Sequence, residues 1–190
     1  MTGVQTCALP ILAFLRAQGW DVDIAAHVRR GGHVLGICGG YQMLGRTIRD
    51  PDGVEGPPGA SVGLGLLDIE TVLGKRKTLR ETSGVSLADA APFTGYEMHV
   101  GATTGPDCAR PMLRLADGRV DGAMAAGGNV RGWYVHGLFS DDRQRAALLA
   151  WVGAEASGQS YEASIEAVLD ELAAHLAAHI DLDALLTLAS

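Results

Sequence analysis

Cys38 lies in the run Gly36-Ile37-Cys38-Gly39-Gly40-Tyr41-Gln42-Met43-Leu44-Gly45. Glycine stands two positions before it and one and two positions after it. A thiol in that setting can act as a nucleophile on a sharp strand-to-helix turn, with Cys in the place that Ser takes in a nucleophile elbow. The glycines let the backbone bend and leave room for a substrate. A helix N-terminus directly after the thiol offers N–H groups and positive potential, which stabilise a thiolate or an oxyanion. The plainer reading is a buried structural cysteine beside a glycine-rich turn. The glycine spacing and the strand-turn-helix context outweigh it.

Such a thiol needs a base to take its proton and return one to the leaving group. Among the six histidines, His136 is the best candidate. It ends the short strand read from Val130 to Val135 and is followed by Gly137-Leu138-Phe139. Strand ends of a parallel sheet gather at one edge, so His136 can meet Cys38 there despite the separation in sequence. His99 is the second candidate, in Tyr96-Glu97-Met98-His99. Strand alternation puts Glu97 and His99 on one face, as a charged pair at the site or as an exposed face. His175 and His179 have a spacing that can bind metal, but no third ligand accompanies them, and no metal site is expected. Cys108 is expected to be inert, and Lys75-Arg76-Lys77 to be a solvated strand end. No Gly-Lys-Ser/Thr follows any glycine run, so a phosphate loop is not expected.

The elements that must position these groups can be read from periodicity and punctuation. Leu12 to Gln18 and Asp23 to Arg30 read as helices, the second capped by Asp23 and stopped by Gly31-Gly32. His33 to Ile37 is a short buried strand, and Tyr41 to Ile48 the helix after the elbow. Asp50 to Ser61 is a loop rich in Pro and Gly. Strands follow at Leu66 to Val72 and Gly95 to Gly101, with Arg76 to Arg80 extending a hairpin and Glu81 to Pro92 irregular. Met112 to Leu115 and Arg119 to Ala123 flank a turn at Ala116-Asp117-Gly118. A helix opens at Asp141-Asp142. Ser160 to His179 is the strongest helix, with Ile165, Val168, Leu169, Leu172 and Leu176 on one face. Asp181 starts a short last helix. Interspersed helices and strands, with the thiol at a strand's C-terminal end, predict an α/β three-layer, doubly wound domain with its site at the carboxyl edge of the sheet.

Composition bounds the possibilities. The chain of 190 residues suffices for one domain with a sizeable core. Its 47% hydrophobic and 19% charged content suit a soluble globular protein. A net charge of −7 argues against a nucleic-acid surface. No apolar run is long enough to span a bilayer. The 3 cysteines form neither a disulfide framework nor a zinc knuckle, so a reducing cytoplasm fits.

Several separated segments together resemble the triad (class I-type) glutamine amidotransferase domains, most closely those of the cobyric acid synthase branch. They are the elbow itself, Asp50-Pro51 with Glu55-Gly56, Gly63-Leu64-Gly65-Leu66-Leu67, Gly95-Tyr96-Glu97-Met98-His99, and Trp133-Tyr134-Val135-His136-Gly137-Leu138-Phe139. The resemblance implies a flavodoxin-like fold and glutamine hydrolysis by Cys38 with His136 as base. It implies substrate contacts at Gly39 and Gln42, and ammonia delivered to carboxylates of a corrinoid, adenosylcobyrinic acid a,c-diamide. ATP and Mg would be used by a synthetase domain N-terminal in the same chain, with no cofactor bound by this domain. In ordinary triad enzymes the His is followed by Pro and Glu, and the Glu orients the imidazole; here Gly137-Leu138 follows instead. Glu97 is the candidate for that orienting role, with His99 in support. The resemblance begins near Leu12. Residues 1–11 have no clear place in the fold pattern and read as a non-native segment ahead of a domain spanning 12–190. The family's preceding strand, whose loop completes the oxyanion hole, has no counterpart. Other readings are the glutaminase subunit of a lipid II isoglutaminyl synthase and a non-catalytic module that keeps only the fold.

Overall fold

The computed structural model describes residues 8–188. The chain divides into two compact units, Met1–Leu138 and Phe139–Ser190. In the first unit, helices α1 (Ala8–Ala17) and α2 (Trp20–Arg29) precede β1 (Val34–Ile37), α3 (Gly39–Leu44), β2 (Thr47–Asp50) and β3 (Gly59–Val62). Then come the long strands β4 (Glu70–Ser86) and β5 (Pro92–Thr104), and the short β6 (Leu113–Leu115), β7 (Val120–Asp121), β8 (Ala123–Met124), β9 (Val130–Trp133) and β10 (Val135–His136). The α/β class read from the sequence is what the unit shows.

The strands form two sheets. The smaller has the order β1-β9-β8, and its β1/β9 pair is parallel, from Val34 opposite Val130 to Ile37 opposite Trp133. The larger runs β10-β5-β4-β2-β3, with β6 and β7 joined through β4. Its spine is an antiparallel ribbon of β4 and β5, from Glu70 opposite Thr104 to Val85 opposite Pro92, with a shift of register between Val72 and Lys77. Such an irregularity adds residues to one strand and re-aims the side chains beyond it.

Two apolar clusters hold the elements. Tyr41 and Leu44 of α3 pack with Leu67, Ile69, Val130 and Tyr134. Ala8 and Leu12 of α1 pack with Ile48 and Leu73. Burying a Leu or Ile side chain contributes roughly 1.5–3 kcal/mol, so Leu12 alone is a substantial anchor for α1. The place denied to residues 1–11 is therefore corrected for 8–11. They form the first turn of α1, and Ala8 is fully buried. Residues 1–7 lie outside the described residues.

Other boundaries also moved. The helix after the elbow ends at Leu44, not Ile48, because β-branched Thr47 and Ile48 pair as a strand with Glu70 and Thr71. Residues 81–86, expected to be irregular, continue β4. Pairing with β5 on one side and β6 on the other satisfies their backbone without an apolar run to signal it.

The second unit is helical. Asp141 caps α4 (Asp142–Trp151), its carboxylate accepting from the Arg143 and Gln144 N–H groups. Ser160 caps α5 (Tyr161–His179), and α6 (Leu182–Leu188) follows. The apolar face expected on α5 is present, but none of its residues is buried. His175 and His179 stack with ring centroids 4.3 Å apart. Among the described residues no group of three or more His, Cys, Asp or Glu is gathered as for a metal ion. No helix among them is long and apolar enough to cross a membrane.

Candidate active site

The elbow is built by close packing. Helix α3 folds back over β1 so tightly that a Cβ on Gly36 would come within 2.6 Å of Leu44 and 2.7 Å of the Gly40 backbone. Glycine at this position is therefore steric necessity. Cys38 itself takes φ 55° and ψ −115°, a left-handed conformation that costs a non-glycine residue about 1–3 kcal/mol. Its N–H donates to the Trp133 carbonyl at 2.9 Å, continuing the β1/β9 ladder to the turn. The strain is thus held by the parallel pair, and the side chain is thrown out at the sheet's end.

A cleft of about 450 Å³ opens there. Of the residues singled out by sequence, Cys38, Gly39, Gln42, His99 and His136 line it, and Glu97 does not. The thiol donates to the Met98 carbonyl at 3.2 Å. Burial pushes the Cys38 pKa up, and the charge of Glu55 adds to this; a hydrogen bond from Gly39 and the charge of Lys77 oppose it without prevailing. The thiolate expected from the helix N-terminus is therefore not the resting form. The raised pKa favours the thiol form, so a nucleophilic role requires a base to take its proton.

His136 reaches the cleft by a different route. Strand β10 leaves the small sheet and pairs antiparallel with β5, placing His136 opposite Tyr96 and Val135 opposite Glu97. A side chain on Gly95 would collide with the His136 carbonyl, so the close approach of β10 depends on that glycine. The imidazole lies flat on the Tyr96 ring, centroids 4.9 Å apart and planes 4° from parallel. Its Nε2 is buried and has no hydrogen-bond partner among the described residues. An unpartnered buried nitrogen costs free energy unless something is there to use it. The buried Asp121 fixes the strand change, its Oδ2 accepting from the N–H groups of Tyr134 at 2.9 Å and Val135 at 3.1 Å.

Glu97 has another occupation. Its carboxylate accepts from Arg80 Nε at 2.5 Å and from Arg119 at 3.1 and 2.7 Å. Burial works to raise its pKa, but the hydrogen bonds and charges of Arg119 and Arg80 win, and the carboxyl lies below its ordinary value. The orienting role expected of Glu97 is corrected: the arginines take its oxygens, and the stacked Tyr96 holds the His136 ring. His99 is also committed. Its ring stacks on Tyr134 at 3.9 Å, and its Nδ1 donates to the Gly101 carbonyl at 3.2 Å. Burial lowers its pKa despite the charge of Glu97, so His99 is a neutral wall of the cleft. The Gln42 amide nitrogen donates to the Val100 carbonyl at 3.0 Å and to the Tyr134 hydroxyl at 3.2 Å. Gln42 therefore ties α3 to β5 and leaves no donor for a ligand.

Sequence reading missed Lys77 and Glu55, which both line the cleft. Lys77 looked like part of a solvated basic run, and the register shift that re-aims it leaves no mark on periodicity. Glu55 sits in a Pro- and Gly-rich loop and is placed by Asp50, whose carboxylate accepts from Val54 N at 2.7 Å and Glu55 N at 2.8 Å.

Comparison with known proteins adds what geometry alone does not. The CobB/CobQ-like glutamine amidotransferase domain matches residues 8–144. A cobyric acid synthase of Methylocella silvestris is 64% identical over 190 residues, covering 100% of this chain and 39% of that protein. One of Methylorubrum populi is 65% identical over 177 residues, 93% of this chain and 36% of that protein. A solved structure of PurLQS from Thermotoga maritima superposes with a TM-score of 0.45 at 18% identity, covering 80% of this chain and 68% of that one. The chain spans well under half the length of the curated relatives it matches, and it belongs to the CobB/CobQ-like glutamine amidotransferase domain family.

Proposed function

We propose that this chain is the glutaminase part of a cobyric acid synthase, with Cys38 as nucleophile and His136 as base. The observation that supports the reading most is a single cleft lined by Cys38, on its strained backbone, and by His136, whose buried Nε2 has no hydrogen-bond partner among the described residues. In this reading, His136 Nε2 takes the thiol proton as Sγ attacks the carboxamide carbon of glutamine. Backbone N–H groups at the start of α3, that of Gly39 first, stabilise the oxyanion. His136 then gives its proton to the nitrogen, and ammonia departs from a glutamyl thioester. Water, deprotonated by His136, attacks the thioester; glutamate leaves and Sγ takes its proton back. His99 and Gln42 shape the walls.

The ammonia would be used outside this domain. ATP and Mg would activate carboxylates of a corrinoid acceptor on the remaining length seen in the relatives, and this domain would bind no cofactor. Enzymes of such biosynthesis work in the cytoplasm, and we assign this chain there.

The test is glutamate release from glutamine. Cys38→Ala should abolish it, and in a longer protein carrying this domain, amidation driven by added ammonia should survive. Glutamate release that persists in Cys38→Ala overturns the assignment.

A further inference from the structure

The cleft carries more charge information than the proposed chemistry uses. Lys77 and Glu55 are opposite charges lining one cleft, and the thiol senses both, Glu55 raising its pKa and Lys77 lowering it. They are not spent on each other: among the described residues neither takes part in an ion pair. Several other basic side chains of the first unit are engaged. Arg46 pairs with Asp68, Arg49 with Glu70, Lys75 with Asp52, and Arg80 and Arg119 with Glu97. Lys77 instead follows the register shift of β4 and stands opposite Val100, whose own side chain also lines the cleft. The Glu55 N–H donates to Asp50, and the Glu55 Oε2 accepts from the Leu9 N–H at 3.1 Å.

A cleft with a cysteine and two opposite charges that form no ion pair among the described residues suits a small zwitterion with a reactive group on its side chain. We propose that Lys77 binds the α-carboxylate of the substrate amino acid and Glu55 its α-ammonium, so that only a free L-amino acid carboxamide is held with its amide carbon at Cys38. This assignment rests on the glutaminase reading and deepens it. Both groups are positioning residues: neither takes part in bond making. It also answers what excludes other amides. Asparagine has the same head group but a side chain one methylene too short to reach the thiol. A peptide glutamine has the right side chain but lacks both charges.

The test uses two alkylating probes on the full chain. 6-Diazo-5-oxo-L-norleucine is glutamine-shaped and carries the charged head group; iodoacetamide is a small neutral amide. Lys77→Met should slow labelling of Cys38 by the first reagent about 10- to 100-fold, the scale of a lost charged hydrogen bond, and by the second less than about threefold. Lys77→Arg should restore most of the difference. For Glu55→Gln, protection against iodoacetamide by L-glutamine should weaken, while protection by glutaramate, which lacks the ammonium, should not. Equal slowing with both reagents in Lys77→Met, or no slowing with the diazo compound, overturns the proposal. A wild-type chain that iodoacetamide labels and the diazo compound does not would overturn the glutaminase reading, and this proposal with it.

Discussion

The small parallel sheet and the long antiparallel ribbon contribute to the site in different ways. The β1/β9 pair carries one reactive atom, and its geometry is forced: Cys38 takes a left-handed conformation over a strand that tolerates only glycine at position 36. The residues that the β4/β5 ribbon brings to the cleft include no positive-φ non-glycine residue. The ribbon supplies the Met98 carbonyl, the His99 wall, Lys77, and the Tyr96 face on which His136 rests. The difference teaches that the placement of Cys38, the proposed nucleophile, is a local backbone matter. His136, the proposed base, is by contrast placed by a long-range pairing that local sequence does not specify.

The sharpest way to break that contrast is at His136. His136→Ala should lower glutaminase kcat about 10²- to 10⁴-fold, measured as glutamate release, because general base and acid are lost together. Tyr96→Ala should cost less, about three- to tenfold, since it removes only the stacked platform. The fall should be in kcat rather than KM, and Tyr96→Phe should recover it. A KM effect alone would mean that the stack shapes the cleft and not the base.

Stability changes should be smaller and should separate the two regions. Cys38→Gly should raise stability by about 1 kcal/mol in urea denaturation, because glycine relieves the left-handed strain. Cys38→Ala should not, although both should be inactive. On the ribbon side, Arg119→Met should cost about 1–2 kcal/mol. Glu97 keeps Arg80, and the partial exposure of Arg119 discounts the lost pair.

The smallest expected effect lies in pH dependence, where two buried carboxylates act with opposite sign. The depressed pKa of Glu97 gives a contribution that is complete above its ordinary value of 4.5 and is lost as pH falls through the folded value. Burial raises the Asp121 pKa despite the backbone N–H groups of Tyr134, Val135 and Gly122. Its folded state therefore holds the proton more tightly. That contribution is present below the ordinary value of 3.8 and is lost as pH rises through the raised one. Urea denaturation from about pH 3 to 6 should show Glu97→Gln flattening the acid-side loss and Asp121→Asn removing the loss at higher pH. Identical profiles for the two variants would refute both assignments.

Much of the site can be read directly from residue order. Gly36-x-Cys38-Gly39-Gly40 after an apolar strand already contains the bend, the exposed thiol and the helix behind it, because all are set within a few residues by sterics. Gly137 after the strand end likewise marks His136. What lies beyond that was decided by tertiary structure. Glu97 is taken up by Arg80, opposite it in the β4/β5 register, and by Arg119 from another strand connection, and no local spacing rule brings those three together. Lys77 enters the cleft only because the β4/β5 register shifts between Val72 and Lys77. Burial in the fold raises the thiol's pKa and outweighs the Gly39 N–H at the helix start, which the sequence alone makes visible. Local backbone conformation is encoded locally; desolvation and charge are sums over everything that the fold brings near, and only the folded chain performs that sum.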